Sequence, residues 1–328
     1  MIRKALGFLS FGAVLFAFSP ASAEETKKVE KDEANGKEEK PEADEHAGIA
    51  YADFVLGFGK VPLAIQNPPT TTEPLPRSHA GAGQITTESI VFGAMYEFFP
   101  KVGIGARIPV SFAELNPNGE AGRSTSSVGN LEIVAEHTIF AQSYLSFFIE
   151  GGISLPTASG QRMPEDVDTR TPEFTDRSAF DHGAVNKAAS LARGGADTAL
   201  YAMDYLGVNP QGGVVWNRGK LKIAGMAKVE NLFSTSGQNS QKYVGELVPR
   251  AKIAYRVTES LEPTFQAYAP ITFAGAEPGE DKVGVVVEPQ LAAYAGALRP
   301  TLGVIIPVVG PASDPQAIGV RLALAAVF

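Results

Sequence analysis

The side chains best equipped for chemistry in this chain are acids and bases spaced so that they share one alternating register. Asp53, Glu97, Glu132, Glu136, Glu150, Glu230, Glu246, Glu262 and Glu288 stand against Arg107, Lys222, Lys228, Arg250, Lys252, Arg256, Arg299 and Arg321. Such a nearly balanced set does not describe a reaction. It suits either ion pairs that fill a confined space or a lining that biases which solute passes. Nucleophilic catalysis would need a base within hydrogen-bond reach of a serine, and the chain has four histidines, His46, His79, His137 and His182. His137 alone falls in a periodic segment, and no serine lies two positions along, where it would share that face. There is no cysteine, no His, Cys or carboxylate spacing that specifies a metal, and no phosphate-loop pattern, so neither an enzyme nor a cofactor is expected.

The elements that must position these charges have a period of two. In "KVGIGARIPVSF", Val102, Ile104, Ala106, Ile108, Val110 and Phe112 face one way, and Lys101, Gly103, Gly105, Arg107, Pro109 and Ser111 the other. Such alternation predicts half-buried strands. Twelve segments qualify: 49–59, 86–99, 101–113, 127–140, 143–155, 205–216, 220–234, 242–257, 259–274, 282–294, 297–308 and 315–328. Short and long connections alternate between them. The short ones are Pro100, Ala141–Gln142, Asn217–Gly219, Thr258 and Ala295–Gly296; the long ones include 60–85, 114–126 and 156–204. A soluble sandwich has no reason for that order. Antiparallel strands crossing a membrane from a periplasmic N-terminus do, with tight turns inside and long loops outside.

The aromatic residues of the apolar register give an independent check. Phe98, Trp216, Tyr255 and Phe328 end descending strands; Phe58, Phe112 and Phe233 end ascending ones, joined by Tyr243 and Phe273 at the outer level. Two girdles of this kind mark two membrane interfaces. Phe140 falls in the register of Glu132 and Glu136 and is not counted among them. The expected fold is therefore all-β: a transmembrane antiparallel up-and-down β-barrel of about twelve strands with one long, partly helical extracellular loop. The last strand must pair with the first, because an open edge in hydrocarbon leaves backbone groups unsatisfied. Its apolar face, Ile318 to Phe328, then meets lipid while Arg321 points into the lumen. His137 lies on the lipid side near the tight-turn interface, the wrong leaflet for chemistry on outer lipids.

The terminal alternation ending in Leu324 and Phe328 resembles the C-terminal signature of bacterial outer-membrane β-barrels. "GNLEI" at Gly129 to Ile133 and "GISLPTASG" at Gly152 to Gly160 resemble the barrels of the meta-pathway of phenol degradation, in which Asn130 stands where an acidic residue is typical. The resemblance implies a Gram-negative outer membrane, uptake of hydrophobic compounds, and recognition of Leu324 and Phe328 by the barrel assembly machinery.

The N-terminus agrees with export. Arg3 and Lys4, an apolar run from Leu6 to Phe18 and then Ala21-Ser22-Ala23 predict a signal peptide over 1–23. Residues 24–48 carry ten acids and five bases with no aromatic residue, a composition that predicts a disordered periplasmic tail, leaving 49–328 as the barrel. The overall charge of −8 argues against a nucleic-acid partner.

Within that barrel Arg107, Glu132, Glu136, Glu150, Lys222, Lys228, Glu230, Glu246, Arg250, Arg256, Glu288 and Arg321 are the expected lumen-lining charges. Tyr51, Phe148, Tyr268 and Tyr294 share their register and are candidate solute contacts or filler between charged layers. The helical composition of "SAFDHGAVNKAASLAR" and "ADTALYAMDYL" allows the 156–204 loop to enter the mouth as a plug or to remain a mobile surface loop. Pro109, Pro249, Pro270 and Pro289 lie inside the expected strands, where each removes a ladder hydrogen bond and calls for a bulge or a break. The function expected is passive passage of small, hydrophobic or aromatic solutes across the outer membrane. The alternative is a closed barrel with a salt-bridged lumen, acting structurally or through its surface, and a lipid hydrolase is the weaker rival.

Overall fold

In the computed structural model, residues 48–61, 83–99, 101–116, 123–142, 144–158, 182–236, 239, 241–276, 282–313 and 317–328 are described. The expected signal peptide, nearly all of the acidic tail, His46 and His79 lie outside them.

Period-two alternation becomes strand along almost the whole described chain. The strands are β1 (Gly48–Val61), β2 (Gly83–Phe99), β3 (Val102–Asn116), β4 (Arg123–Val128), β5 (Leu131–Ala141), β6 (Leu145–Leu155), β7 (Tyr205–Arg218), β8 (Leu221–Ser234) and β9 (Tyr243–Tyr255). They continue as β10 (Leu261–Tyr268), β11 (Ile271–Ala274), β12 (Val285–Ala293), β13 (Leu298–Val309) and β14 (Ile318–Val327). Among the described residues two helices, α1 (His182–Ala192) and α2 (Thr198–Tyr201), interrupt them between β6 and β7. Both β4 and β5 pair with β3, and both β10 and β11 pair with β9, so these fourteen segments make a closed barrel of twelve antiparallel wall strands.

Closure runs through the ends of the chain. β14 lies against β1 from Ile49↔Val327 to Phe58↔Ile318, and Gly48 and Phe328 exchange backbone hydrogen bonds of 2.6 and 2.9 Å. Among the described residues no wall strand is left with an open edge, as hydrocarbon requires. The alternation sorts side chains as the sequence predicts: Leu322 is 55% exposed on the outer face while its neighbours Arg321 and Ala323 are buried inside. Phe58, Phe98, Phe112, Phe233, Tyr255, Phe273 and Phe328 are exposed outside, near the strand ends. Leu324 and Phe328 also belong to that outer surface.

Two irregularities have identifiable causes. Between Val110↔Val128 and Arg107↔Glu132 the pairing slips by one residue, which makes Gly129–Asn130 a bulge opposite Pro109. The β10/β11 break keeps its register and sits where Pro249 and Pro270 withhold their donors; Pro249 and Pro270 carbonyls instead accept from Ala269 N at 3.0 Å and Gly284 N at 2.8 Å. At Pro289 the β12–β13 register likewise holds across a gap between Val287↔Ile306 and Gln290↔Gly303.

Phe140 corrects the register expectation. A shift between Thr138 and Phe140 skips Ile139, so Phe140 turns outward and packs 5.8 Å from the Phe147 ring. One extra residue moves every later side chain to the other face. Phe140 therefore joins the tight-turn girdle from which strict alternation had excluded it.

Candidate functional site: the lumen and its inserted loop

Every charge expected on the inner wall is found there. Arg107, Glu132, Glu136, Glu150, Lys222, Lys228, Glu230, Glu246, Arg250, Glu288 and Arg321 are buried, and the Arg256 side chain retains 19% exposure near the tight-turn mouth. What covers most of them is the described part of the long loop. α1, the turn that follows it and α2 lie inside the barrel, in its long-loop half and down to the level of Asp53, Arg107, Lys228 and Arg321.

Small residues make the entry possible. Gly57 on β1 and Gly319 on β14 face each other across the ladder, and a side chain at either would collide with Ala192 at the end of α1. Gly194 and Gly195 then reverse the chain at φ of 76° and 70°, a backbone region that glycine enters without steric cost. Ala189, Ala192 and Ala196 keep the plug thin enough to pack against Val55, Tyr51, Val134 and Ile305 of the wall.

Polar contacts fix the plug at three places. At the first, the Arg193 guanidinium pairs with the Asp53 carboxylate and donates to the Asp53 carbonyl at 3.3 Å, while Tyr268 donates its hydroxyl to the Arg193 carbonyl at 2.9 Å. Asp53 in turn meets Arg321 Nε at 3.2 Å, and Arg321 meets Glu288, which accepts from Gln266 and from Gln290 Nε2, the latter at 2.7 Å. At the second, Asp197 lies 3.4 Å from Lys228 Nζ and 3.7 Å from Arg107 Nη1. Those cations also pair with Glu230 and Glu132, and Glu230 accepts from Ala199 N at 3.1 Å. Asn209 donates to Glu132 at 2.7 Å.

The third is the bulge. Asn130 Nδ2 donates to the Ala199 and Ala202 carbonyls at 2.9 and 2.7 Å, its Oδ1 accepts from Ala158 N at 3.0 Å, and its own N–H reaches Leu200 O at 2.7 Å. One side chain thereby satisfies the end of a short helix whose carbonyls would otherwise be buried without donors. An aspartate could not donate to those two carbonyls.

The tight-turn half is different. Lys222 Nζ and Arg256 Nε lie 3.7 and 4.0 Å from the Glu262 carboxylate. The Arg256 and Arg299 guanidiniums stand 4.7 and 5.4 Å from the centre of the Tyr294 ring, and deeper, beside the plug, Arg250 stands 5.1 Å from that of Tyr268. On the far wall of this half Glu136 and Glu150 face each other across β5 and β6, while the Glu230 and Glu246 pair across β8 and β9 belongs to the plug half.

Of the aromatic residues expected to meet a solute, Tyr51 packs with α1 and α2 residues, and Tyr268 is bonded to the plug. Phe148 is buried against Val215, Ala224 and Met226, and Tyr294 is half-buried at the tight-turn mouth. His137 faces outward, its Nδ1 3.2 Å from the Lys101 carbonyl oxygen. Arg193 and Asp197, which anchor the plug, were not singled out from sequence. Their signal was present: two isolated charges in an otherwise small and apolar stretch, "LARGGADTAL".

No protein-family model matches the chain, and no curated protein sequence matches it. Solved structures do. An outer membrane channel from Pseudomonas putida F1 superposes with a TM-score of 0.53 at 11% identity, covering 89% of this chain and 98% of that one. The transport unit of the autotransporter AIDA-I from Escherichia coli gives 0.47 at 9% identity over 93% and 98%. The NanC porin gives 0.45 at 7% over 84% and 98%. The first of these shares the barrel fold at an identity too low to transfer an activity.

Proposed function

We propose that this chain is an outer-membrane channel, or facilitator, for passive entry of small solutes, hydrophobic and aromatic ones among them, and that the inserted loop closes it in the conformation seen. The observation that carries this reading is that closure is made by a loop rather than by the wall. The plug is joined to the strands by side-chain ion pairs and hydrogen bonds, and the ladder closes around it through strands that do not include it. Remove those contacts and the barrel remains whole with a charged, polar interior. The apolar outer belt supports outer-membrane lipid as its surroundings, and the terminal strand ending in Leu324 and Phe328 fits recognition by the barrel assembly machinery. In this mechanism solute selection rests on inward charges and aromatic rings, with no covalent step and no cofactor.

Planar-bilayer conductance and liposome swelling test the proposal. Sugars, ions and aromatic acids are compared for the natural protein and for a variant with 186–201 replaced by a short Gly-Ser link. Folded protein that is silent in both forms would sink the channel reading. That outcome would favour the closed barrel, for which the complete burial of Arg193, Ala189 and Ala199 is the supporting observation.

A further inference from the structure

We infer that the tight-turn mouth of the lumen holds a binding site for small organic carboxylates, built by Arg299, Arg256 and Lys222 around Tyr294. The inference deepens the channel reading and rests on it for the route by which such a solute arrives.

Three cations share this mouth, and Glu262 is the carboxylate placed among them, 3.7 Å from Lys222 and 4.0 Å from Arg256. Arg299 has no ion pair among the described residues, and its Nε and Nη1 donors have no hydrogen-bond partner although both atoms are buried. Its guanidinium and that of Arg256 are both drawn to the one Tyr294 ring, at 5.4 and 4.7 Å. Two like charges against one ring repel each other, and buried guanidinium N–H groups without acceptors are costly. An anion between them relieves both penalties.

The chemistry favours carboxylate. Guanidinium is planar and weakly hydrated, and it pairs with flat carboxylates through parallel N–H donors. The site is also reachable: Arg256, Tyr294 and Arg299 are all partly exposed, while the plug stands in the other half of the barrel. In the plug half the corresponding cations are occupied, since Arg107, Lys228, Arg193 and Arg321 each pair with Glu132, Glu230, Asp53 or Glu288. An arriving anion would have to displace those carboxylates. Deeper along the same wall Lys252 and Arg250 continue the positive face toward the plug.

The test is calorimetric titration of the folded full-length protein in detergent micelles with benzoate, benzyl alcohol and inorganic phosphate. Saturable benzoate binding is expected, at least about tenfold tighter than either comparison ligand, because the charged hydrogen bonds are lost with the alcohol and the planar fit with phosphate. Arg299→Gln should weaken benzoate by about tenfold, and Arg218→Gln, at an exposed strand end, should leave it unchanged. Retention of the compact, heat-modifiable band on gels checks that the variants are folded. The inference is overturned if wild-type protein does not saturate with benzoate, if benzyl alcohol or phosphate binds as tightly, or if folded Arg299→Gln binds like wild type. Flux measured on the same preparation separates the two proposals. Binding without flux keeps the site and removes the channel; flux without binding removes the site alone.

Discussion

Around the inserted loop, Arg107, Lys228, Arg193 and Arg321 each lie against a carboxylate, and the acids and bases come from wall and plug together. At the tight-turn mouth, Arg299 and Arg256 lean on a tyrosine, with Glu262 as the neighbouring carboxylate. Both regions draw on the same residue types in the same register. The difference lies in what covers them. Charges that must leave water are tolerated best when paired, and in the plug half Arg107, Lys228, Arg193 and Arg321 each have a carboxylate. At the mouth Arg256 and Arg299 keep some exposure, and Arg299 stands without an ion pair among the described residues. Burial, more than residue type, separates a structural ion network from a surface that can act on solutes.

The comparison breaks most visibly if the plug is removed. Replacing 186–201 with a short link is expected to convert rare or absent openings into a stable conductance, read in planar bilayers, with the barrel still heat-modifiable. Next in size is Arg193→Ala. It leaves Asp53 without its plug partner, and breaking a buried pair costs about 3–5 kcal/mol. The loss should fall on plug docking, seen as faster hydrogen exchange across 186–201 with the wall ladders protected as before.

Asn130→Asp sharpens the picture further. It replaces two donated hydrogen bonds with a carboxylate facing the Ala199 and Ala202 carbonyls. Docking should weaken by about 1–3 kcal/mol, again localised by hydrogen exchange. The smallest effect is expected at the mouth. Arg256→Gln removes a part-exposed, 4.0 Å pair and should change barrel stability by less than about 1 kcal/mol in urea unfolding. A loss as large as that at Arg193 would show that the two regions are alike after all.

How far the sequence reached is clear from particular residues. The twelve wall strands, the alternation of short and long connections and the inward placement of Arg107, Lys228, Glu288 and Arg321 follow from period-two patterning, because lipid outside leaves a charged side chain one acceptable face. Phe140 was misplaced because a single skipped residue at Ile139 has no compositional mark. Asn130 stood out as a departure from an acidic residue, but its role could not be read, since its partners lie 69 and 72 positions away.

The sequence by itself determined the cylinder. Each residue's choice between lipid and lumen is local, made by its own polarity and its place in the alternation. Only the tertiary structure decided that the loop enters the barrel, that Arg193 finds Asp53, and that Arg299 is left without a carboxylate among the described residues. Those outcomes depend on which side chains meet across the lumen. Pairings at a distance are set by closure of the barrel and by the space that Gly57 and Gly319 leave open, not by any spacing along the chain.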